Sequence, residues 1–420
     1  MLLKNATYLD ASGQLRHADI GITGGRITSI TPASDPTGHP ASETVDCGGM
    51  FVLPGLINGH FHTQSNAGRG LFRNMGLHDW GGPGVQGELQ QRFFTFLDTV
   101  ATDDELRTIC MRAYAELLCQ GVTFTQDSGL GERPVRPLVE AANAVGIRAV
   151  IDAYDEIGAL HGREYEHVHF GGHLPEEEDI TDETLAAAVE ARRAYDATFM
   201  THCLETPWRK ETVLERYNRS TVALFDDHGL LDAQTVLFHG VEVSDDDIRI
   251  LAARRVSLAH CPVSNLSAVA PLGRYLELGV NVCLGVDFGY ADMWEAMRVA
   301  YYLQKDRKGG PIVDAETIWR MATINGARAY GLDGTLGAIA EGLAADIVLV
   351  DATGAVLLPL VEREGFTNTV NNLLIWGRPH MVRHVMIAGK WVVRDGVLTT
   401  VDEAELNARY RSIAQRIAAL

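Results

Sequence analysis

The sequence predicts an α/β fold, a (β/α)8 TIM barrel joined to a small β-sandwich that is built from both ends of the chain. In the middle of the chain, apolar strand-like runs alternate with segments of helical period, and about eight such units favour a closed parallel barrel. Toward both ends, short alternating runs punctuated by Gly, Pro and Asp favour antiparallel strands. The 420 residues, 46% of them hydrophobic, suffice for one large barrel and a smaller β layer.

These patterns also set the predicted domain boundaries. The composite β-sandwich takes residues 1–53 and 340–420, and the barrel takes residues 54–339. The C-terminal share of the sandwich consists of the runs ADIVLVDA and VRHVMIAGKWVVRDG, in which glycine marks the turns.

Helices of the barrel are predicted wherever apolar side chains recur at helical spacing between strand-like runs. They span Asp103–Cys119, Val135–Val145, Thr181–Tyr195, Thr212–Asp227, Ser244–Arg254, Leu272–Leu278, Met293–Gln304 and Ala315–Tyr330. Thr181 can serve as an N-cap, but Thr184 is not the Glu or Gln of a full capping box. Too few residues separate Arg148 from Thr181 for a complete unit, so the third unit of the barrel is predicted to be compressed.

Charge and cysteine content limit the class of protein. The net charge of -19, without a Lys/Arg-rich run, argues against nucleic acid or an anionic membrane as partner. The six cysteines form no C-x-x-C pair and lie mostly in apolar segments, as reduced thiols do. We find no signal-peptide core and no run near the roughly 20 apolar residues of a membrane span. We therefore expect a cytoplasmic protein.

The run VLPGLINGHFHT at Val52–Thr63 ends in two histidines that a single residue separates. Side chains alternate along an extended chain, so His60 and His62 face the same way and Phe61 faces the other. Both imidazoles could then reach one ion. A single His-x-His is common by chance, so the prediction of a metal site depends on further ligands downstream.

Such residues recur where later strands end, and the C-terminal ends of barrel strands share one face. They are His202 in FMTH, His239 in VLFH, His260 in SLAH and Asp287 in CLGVD. Each alone is compatible with an ordinary buried histidine or a turn-capping aspartate. Their common position favours a metal site, and nitrogen with carboxylate ligands suits Zn²⁺ or Fe²⁺ better than Mg²⁺ or Ca²⁺.

Glu205 follows His202 by three residues, beyond the end of the strand. There its carboxylate could exchange protons with a water that the metal activates. An isolated glutamate at this place would be an ordinary loop residue.

The ordered runs PGLINGHFH, THCLE, LFHG, AHCPVSN and LGVD resemble the amidohydrolase superfamily. The chain is most similar to its cytosine-deaminase-like branch, which includes guanine deaminase, adenosylhomocysteine deaminase and triazine hydrolases. The likeness extends from Met1 to about Asp402, because ATINGARAYGLDGTLGAIAEGLAADIVLVD is similar to the closing segment of that family.

The resemblance implies a barrel with one divalent metal ion, zinc first and iron second, and a homo-oligomer. It matches His60, His62, His202 and Asp287 to the metal ligands. Glu205 matches the proton shuttle, and His239 matches the histidine that polarises the water or a substrate heteroatom. His260, Ser264 and Asn265 match a substrate-side motif. Binuclear relatives need a carbamylated lysine on the fourth strand, but Lys4, Lys210, Lys305, Lys308 and Lys390 all lie off the predicted barrel strands.

The loop Thr63–Trp80 is expected to lean over the metal. Gln64 could hydrogen-bond the edge of a heterocycle, and Trp80 or Phe288 could stack on its face. Relatives commonly carry Ser-Asn-Asn after the final aspartate, where this chain has Phe-Gly-Tyr-Ala-Asp at residues 288–292. The substrate therefore cannot be taken from any one relative.

The expected reaction is hydrolytic deamination of a small N-heterocycle such as a purine, pyrimidine, pterin or triazine. Asp287 would accept a proton from the attacking water, and Glu205 would protonate the departing amine. Two alternatives remain open. The same site could cleave a cyclic amide, urea or carbamate, or displace another leaving group from a triazine. A non-catalytic metal-binding scaffold is the other alternative, and Glu205 argues against it because a scaffold needs no proton shuttle.

Overall fold

The computed structural model describes residues 1–10, 13–32, 43–130, 133–163, 165–265, 270–289, 291–305 and 313–420, so Tyr290 and Lys308 lie outside the described residues. The chain begins with five short strands. They are β1 Leu2–Leu9, β2 Leu15–Thr23, β3 Arg26–Thr31, β4 Thr44–Asp46 and β5 Met50–Pro54.

Eight parallel strands follow and form the barrel. They are β6 Leu56–Asn58, β7 Val122–Asp127, β8 Arg148–Asp152, β9 Val168–His173, β10 Phe199–Cys203, β11 Thr235–His239, β12 Ser257–His260 and β13 Asn281–Leu284. Each strand pairs with the next in sequence order. Beyond the strand ends, the amide of Gly59 donates to the carbonyl of Leu284 at 2.7 Å and the amide of Asp287 donates to the carbonyl of His60 at 3.0 Å. These bonds join the last strand to the first, and the predicted barrel is confirmed.

The chain returns to the first layer through β14 Ile347–Asp351, β15 Glu362–Arg363, β16 Phe366–Thr367, β17 Val382–Ile387, β18 Lys390–Arg394 and β19 Val397–Leu398. Strand β14 lies antiparallel between β5 and β17, so strands from both chain ends form one nine-stranded sheet, and β15 and β16 form a separate hairpin. The division into two domains at the predicted boundaries stays a prediction.

The α-helices of the described residues connect and follow these strands. They are α1 Val85–Thr95, α2 Asp103–Cys119, α3 Arg136–Val145, α4 Ile157–Leu160, α5 Asp182–Ala194, α6 Pro207–Tyr217, α7 Thr221–Asp227, α8 Asp245–Arg254, α9 Leu272–Glu277, α10 Met293–Lys305, α11 Ala315–Met321, α12 Ile324–Ala329, α13 Thr369–Trp376 and α14 Glu403–Ala418. Short 3-10 helices cover Thr63–Gly68, Leu77–Asp79, Tyr154–Glu156, Glu177–Asp179, Ala355–Leu357 and Pro379–Met381. Within the described ranges, no helix is both long and apolar enough to cross a bilayer.

Two helices predicted as continuous are each broken into two. The predicted helix Thr212–Asp227 becomes α6 and α7, because Asn218 adopts a left-handed conformation (φ 49°) and Ser220 starts α7 as its N-cap. The predicted helix Ala315–Tyr330 becomes α11 and α12. Here the carbonyl of Ala322 accepts the amide of Ile57 from the first barrel strand at 2.8 Å, so a tertiary bond replaces a helical one.

Two further features differ from the sequence prediction, and a third agrees with it. Thr184 does complete a capping box, because its hydroxyl accepts from the amide of Thr181 at 2.9 Å while its own amide donates back to the Thr181 hydroxyl at 3.1 Å. Helices α1, α13 and α14 had no counterpart in the prediction; α14 packs on α2. The compressed third unit is confirmed, since α4 has a single turn.

Asn58 links the first strand to both neighbours in the closed barrel. Its amide nitrogen donates to the hydroxyl of Thr125 in β7 at 3.1 Å, and its amide oxygen accepts from the backbone of Val286 at 3.0 Å. The side chain is fully buried, so water cannot replace either bond. Val286 precedes Asp287, and Asn58 therefore also fixes the segment that carries this predicted ligand.

We predict that Asn58→Ala lowers the free energy of unfolding by about 2–4 kcal/mol, because two buried groups lose their partners. Urea denaturation followed by circular dichroism measures the change. Asn143→Ala, at an exposed position of α3, serves as the control and should change the free energy little. Equal stability of both variants would contradict the closing role of Asn58.

Candidate metal centre

The four predicted ligands converge at the C-terminal end of the barrel. The Nε2 atoms of His62 and His202 lie 3.0 Å apart. An oxygen of Asp287 lies 3.2 Å from Nε2 of His60 and 3.5 Å from Nε2 of His62. All four side chains are buried. Phe61 turns away and joins the apolar cluster outside the barrel strands, as alternation along the strand predicts.

The hydrogen bonds of the three histidines fix which ring nitrogen carries the proton. Nδ1 of His60 donates to Gln126 Oε1 at 3.0 Å, and Nδ1 of His62 donates to the carbonyl of Gly129 at 2.7 Å. Nδ1 of His202 donates to Glu176 Oε1 at 2.8 Å. In a neutral imidazole, the opposite nitrogen then presents a lone pair.

This arrangement fits a divalent cation. Two Nε2 lone pairs that face each other at 3.0 Å repel unless a cation lies between them, and buried Nε2 of His60 has no hydrogen-bond partner among the described residues. Three imidazoles and one carboxylate are a donor set that Zn²⁺ accepts in tetrahedral sites. None of the eight barrel strands contains a lysine, in agreement with a single ion.

The protonation states suit metal binding as well. Burial lowers the pKa of His60 to about 4, although Asp287 opposes this shift. Burial also holds the pKa of His202 well below its usual value. Burial raises the pKa of Asp287, but the surrounding histidines, His239 foremost, outweigh it and hold that pKa well below its usual range. Neutral imidazoles and an ionised carboxylate are the forms that coordinate metals.

Residues behind the ligands hold them in place. The carboxylate of Asp127 accepts hydrogen bonds from the backbone amides of Gly129 at 2.8 Å and Thr63 at 3.3 Å. It also accepts one from the hydroxyl of Tyr114 at 2.5 Å. These bonds aim the carbonyl of Gly129 at His62. Asp127 and Gln126, both at the end of β7, were not among the predicted site residues, because neither belongs to a ligand-like motif.

The backbone is strained where the site residues emerge. Leu204, His239 and Asp287 all have positive φ, at 50°, 71° and 61°, a region that non-glycine residues rarely adopt. Val236 and Phe238 belong to the cluster inside the barrel, so alternation alone would send His239 outward. The left-handed turn breaks this alternation and brings His239 to the site. Backbone strain of this kind is common at functional sites.

Glu205 and His239 lie next to the ligand cluster. A carboxylate oxygen of Glu205 lies 3.9 Å from Nε2 of His239, and an oxygen of Asp287 lies 3.9 Å from Nδ1 of His239. Nδ1 of His239 donates to Asn265 Oδ1 at 3.1 Å. Asn265 thus supports His239, and its predicted contact with substrate stays a prediction.

Cys261 also approaches the cluster, because its sulfur belongs with His60, His239 and Asp287 to a group of ligand atoms that all lie within 4.8 Å of one another. Burial raises the pKa of the Cys261 thiol well above its usual range. The protonated thiol is a poor ligand. The preceding residue, His260, is buried at the end of β12, and its substrate contact stays a prediction.

The predicted stacking residues form one aromatic wall. Trp80 and Phe288 have ring centroids 4.7 Å apart, and Phe72 lies 4.5 Å from Trp80 and 4.7 Å from Phe288. The ring of Phe288 lies 6.0 Å from that of His62, so the wall borders the ligand cluster. Gln64 is buried in the 3-10 turn that follows His62. Phe72 was not among the predicted stacking residues, although it lies in the same loop as Trp80.

A further histidine at the same barrel end was missed. His173 ends β9, its Nδ1 donates to Asp152 Oδ2 at 2.9 Å, and its ring stacks on Tyr154 with centroids 4.3 Å apart. Burial opposes its charge, but Asp152 raises the pKa of His173 above its usual value. Like His202 it ends a barrel strand, and this shared position was the available signal.

A parallel barrel with histidine and carboxylate ligands at the ends of its strands defines the class of metal-dependent barrel hydrolases. Residues 51–392 match the model of the amidohydrolase family. The chain is 33% identical to the 5-methylthioadenosine/S-adenosylhomocysteine deaminase of Syntrophobacter fumaroxidans, over 99% of this chain and 98% of that protein. It is 29% identical to the 5'-deoxyadenosine deaminase of Methanothrix thermoacetophila, over 96% and 98%.

Among solved structures, an adenosine deaminase from Xanthomonas campestris with bound zinc superposes with a TM-score of 0.89 at 23% identity, over 100% of this chain and 98% of that one. The protein belongs to the amidohydrolase family. The predicted superfamily and the predicted class of enzyme, a hydrolase of carbon–nitrogen bonds other than peptide bonds, are confirmed. The zinc in that structure agrees with the predicted divalent ion.

We predict that zinc raises the melting temperature and that a chelator lowers it, since a ligand that binds only the folded state stabilises by about 2.7 kcal/mol at 100 times its Kd. His202→Ala should lose most of this zinc-dependent shift. The exposed His17→Ala on β2 should keep it. A full zinc-dependent shift in His202→Ala would contradict the assigned site.

Proposed function

We propose that this protein is a zinc-dependent aminohydrolase that replaces the exocyclic amino group of an adenine-type nucleoside by a hydroxyl and releases ammonia. The convergence of the Nε2 atoms of His62 and His202, 3.0 Å apart, carries the proposal, because it marks one point where a cation and a reacting water can meet. His60 and Asp287 complete the proposed ligand set. Glu205 beside it is what distinguishes a hydrolase from a metal-binding scaffold.

The side chains divide the proton transfers between them. His60, His62, His202 and Asp287 would hold a divalent ion, which would supply Lewis-acid activation of the attacking water. Asp287 accepts a proton from that water, and the remaining hydroxyl forms a C–O bond with the amidine-like carbon. Glu205 delivers a proton to the amino group, the C–N bond breaks, and ammonia leaves. His239, 3.9 Å from Glu205, polarises the water or the substrate heteroatom.

The walls of the site suit a flat nitrogen heterocycle. Trp80 and Phe288 offer apolar ring faces, and such faces stack on aromatic ligands. Gln64 and His173 offer hydrogen bonds to ring edges. Two deaminases to which the chain is similar in sequence are named for adenine nucleosides, and this supports a purine substrate ahead of pyrimidines, pterins and triazines.

We further propose that the enzyme acts in the cytoplasm as a homo-oligomer on a small-molecule substrate. All six cysteines are free, and five of them are buried, in keeping with a reducing compartment.

Tyr302 on α10 and Trp376 on the adjacent α13 are exposed, and exposed aromatics are typical of interfaces. Light scattering after size exclusion determines the oligomeric state, and a monomeric mass would remove this part of the proposal.

We predict that the zinc-loaded protein releases ammonia from at least one adenine nucleoside in a panel of adenosine, 5'-deoxyadenosine, 5'-methylthioadenosine and S-adenosylhomocysteine. Guanine, cytosine, a pterin and an aminotriazine complete the panel. Mass spectrometry of the product separates amino-to-hydroxyl exchange from ring opening, which adds a whole water. No ammonia from any member would exclude the deaminase function.

We predict that Glu205→Gln lowers kcat by roughly 10²- to 10⁴-fold, the usual contribution of a proton-transfer group, while zinc content stays unchanged. Steady-state kinetics with metal analysis by mass spectrometry measures both. Glu211→Gln, at an exposed position of α6, removes the same charge away from the site and should leave kcat unchanged. Wild-type turnover in Glu205→Gln would show that the shuttle has been misassigned.

A further inference from the structure

Three consecutive glutamates follow β9, at Glu176–Glu178. By sequence such a charge run is typical of a solvated surface loop. In the structure Glu177 is fully buried and the side chains of Glu176 and Glu178 are 17% and 32% exposed. Burial of three like charges is costly unless each is paired, so their partners decide what the run does.

Each glutamate contacts a different part of the segment from His202 to Arg209. Glu176 accepts a hydrogen bond from Nδ1 of the proposed ligand His202 at 2.8 Å. Glu177 accepts the backbone amide of Leu204 at 2.6 Å. Glu178 accepts a guanidinium nitrogen of Arg209 at 2.6 Å. The run therefore supports His202, Leu204 and Arg209 one after another.

Leu204 is the strained residue between His202 and Glu205, with φ at 50°. Its carbonyl accepts the amides of Val241 and Glu242, each at 2.9 Å, while Glu177 accepts its amide. A left-handed leucine persists only where its surroundings hold it. The direction in which Glu205 leaves the strand consequently depends on these three bonds.

Arg209 connects the glutamate run to Glu205. Its side chain is 6% exposed and lies on α6, four residues beyond Glu205. One terminal nitrogen donates to Glu176 at 2.5 Å and to Glu178 at 2.6 Å, and the other donates to Glu205 at 3.1 Å. A guanidinium is always charged and offers several donors in a fixed plane, so one side chain bridges three carboxylates.

These contacts form an unbroken path of charge-assisted bonds from His202 through Glu176 and Arg209 to Glu205. We propose that Arg209, with the Glu176–Glu178 run, is positioning machinery that fixes the proton shuttle relative to the metal ligand. The inference rests on the proposed roles of Glu205 and His202. It adds that the loop after the fourth barrel strand, β9, supports the site residues that follow from the fifth strand, β10.

The first test measures zinc affinity, which needs no substrate. In competition titrations of the metal-free protein with a chromogenic chelator, Glu176→Gln should weaken zinc binding on the order of 10- to 100-fold, as loss of a residue behind a metal ligand does. Arg209→Met should weaken it less, and combining it with Glu176→Gln should add little further loss. Wild-type affinity in both single variants, or a fully additive loss in the double variant, would overturn the proposal.

The second test separates positioning from general stability. Arg209→Lys keeps the charge but cannot bridge three carboxylates, and Glu178→Gln removes one anchor of the guanidinium. Both should lower kcat on the order of 10-fold or more with little change in KM, and zinc content should be kept. Arg249→Lys, an exposed arginine with surface ion pairs on α8, is the control and should turn over normally.

The outcomes of the two tests are distinguishable. Folded, zinc-loaded Arg209→Lys and Glu178→Gln with wild-type kcat would overturn the positioning role while leaving the proposed function intact. If no substrate is turned over by the wild-type protein, the proposed function fails, and the zinc titrations still decide whether the path supports His202. If Arg209→Met does not fold, the zinc affinities of Glu176→Gln and Arg209→Lys are measured in its place.

Discussion

Buried imidazole lone pairs that face one another are the constraint on which the site depends. His62 and His202 each give their Nδ1 proton to a fixed acceptor, which leaves two Nε2 atoms opposed at 3.0 Å. Without a cation this arrangement is repulsive, and with one it is a ready ligand set. We expect metal binding and folding to be coupled, because the proposed ligands come from the first, fifth and eighth strands and only the closed barrel brings those strands together.

Closure of the barrel is tied to the site through short side chains and backbone bonds. Asn58 joins the first strand to the segment before Asp287, and the amide of Asp287 bonds to the carbonyl of His60. The contact between the first and the last barrel strand is thus stabilised by bonds of the proposed ligands and of their neighbours in sequence. Barrel enzymes place their chemistry at this end of the strands, and the strained residues Leu204, His239 and Asp287 show how the backbone departs from regular strand geometry to do so.

Electrostatic balance explains the features that sequence patterns described poorly. A run of three glutamates would be a solvated loop in isolation, but the buried guanidinium of Arg209 donates hydrogen bonds to Glu176, Glu178 and Glu205. Low dielectric strengthens paired charges and penalises unpaired ones. The cluster therefore behaves as one unit, and its two ends are the proposed metal ligand and the proposed proton shuttle.

The sequence by itself predicted the barrel and the strand ends near which His60, His62, His202, His239 and Asp287 lie, because hydrophobic period and strand ends are local properties of the chain. Only the tertiary structure decided that His239 turns toward the site, through its left-handed backbone. Only the tertiary structure decided where helices break, as at Ala322, whose carbonyl bonds to the barrel. It also decided which residues form hydrogen bonds that support the proposed ligands and their neighbours. Glu176, Arg209 and Asp152 gain their roles from partners that are distant in sequence, and no periodicity within a single segment encodes such a partner.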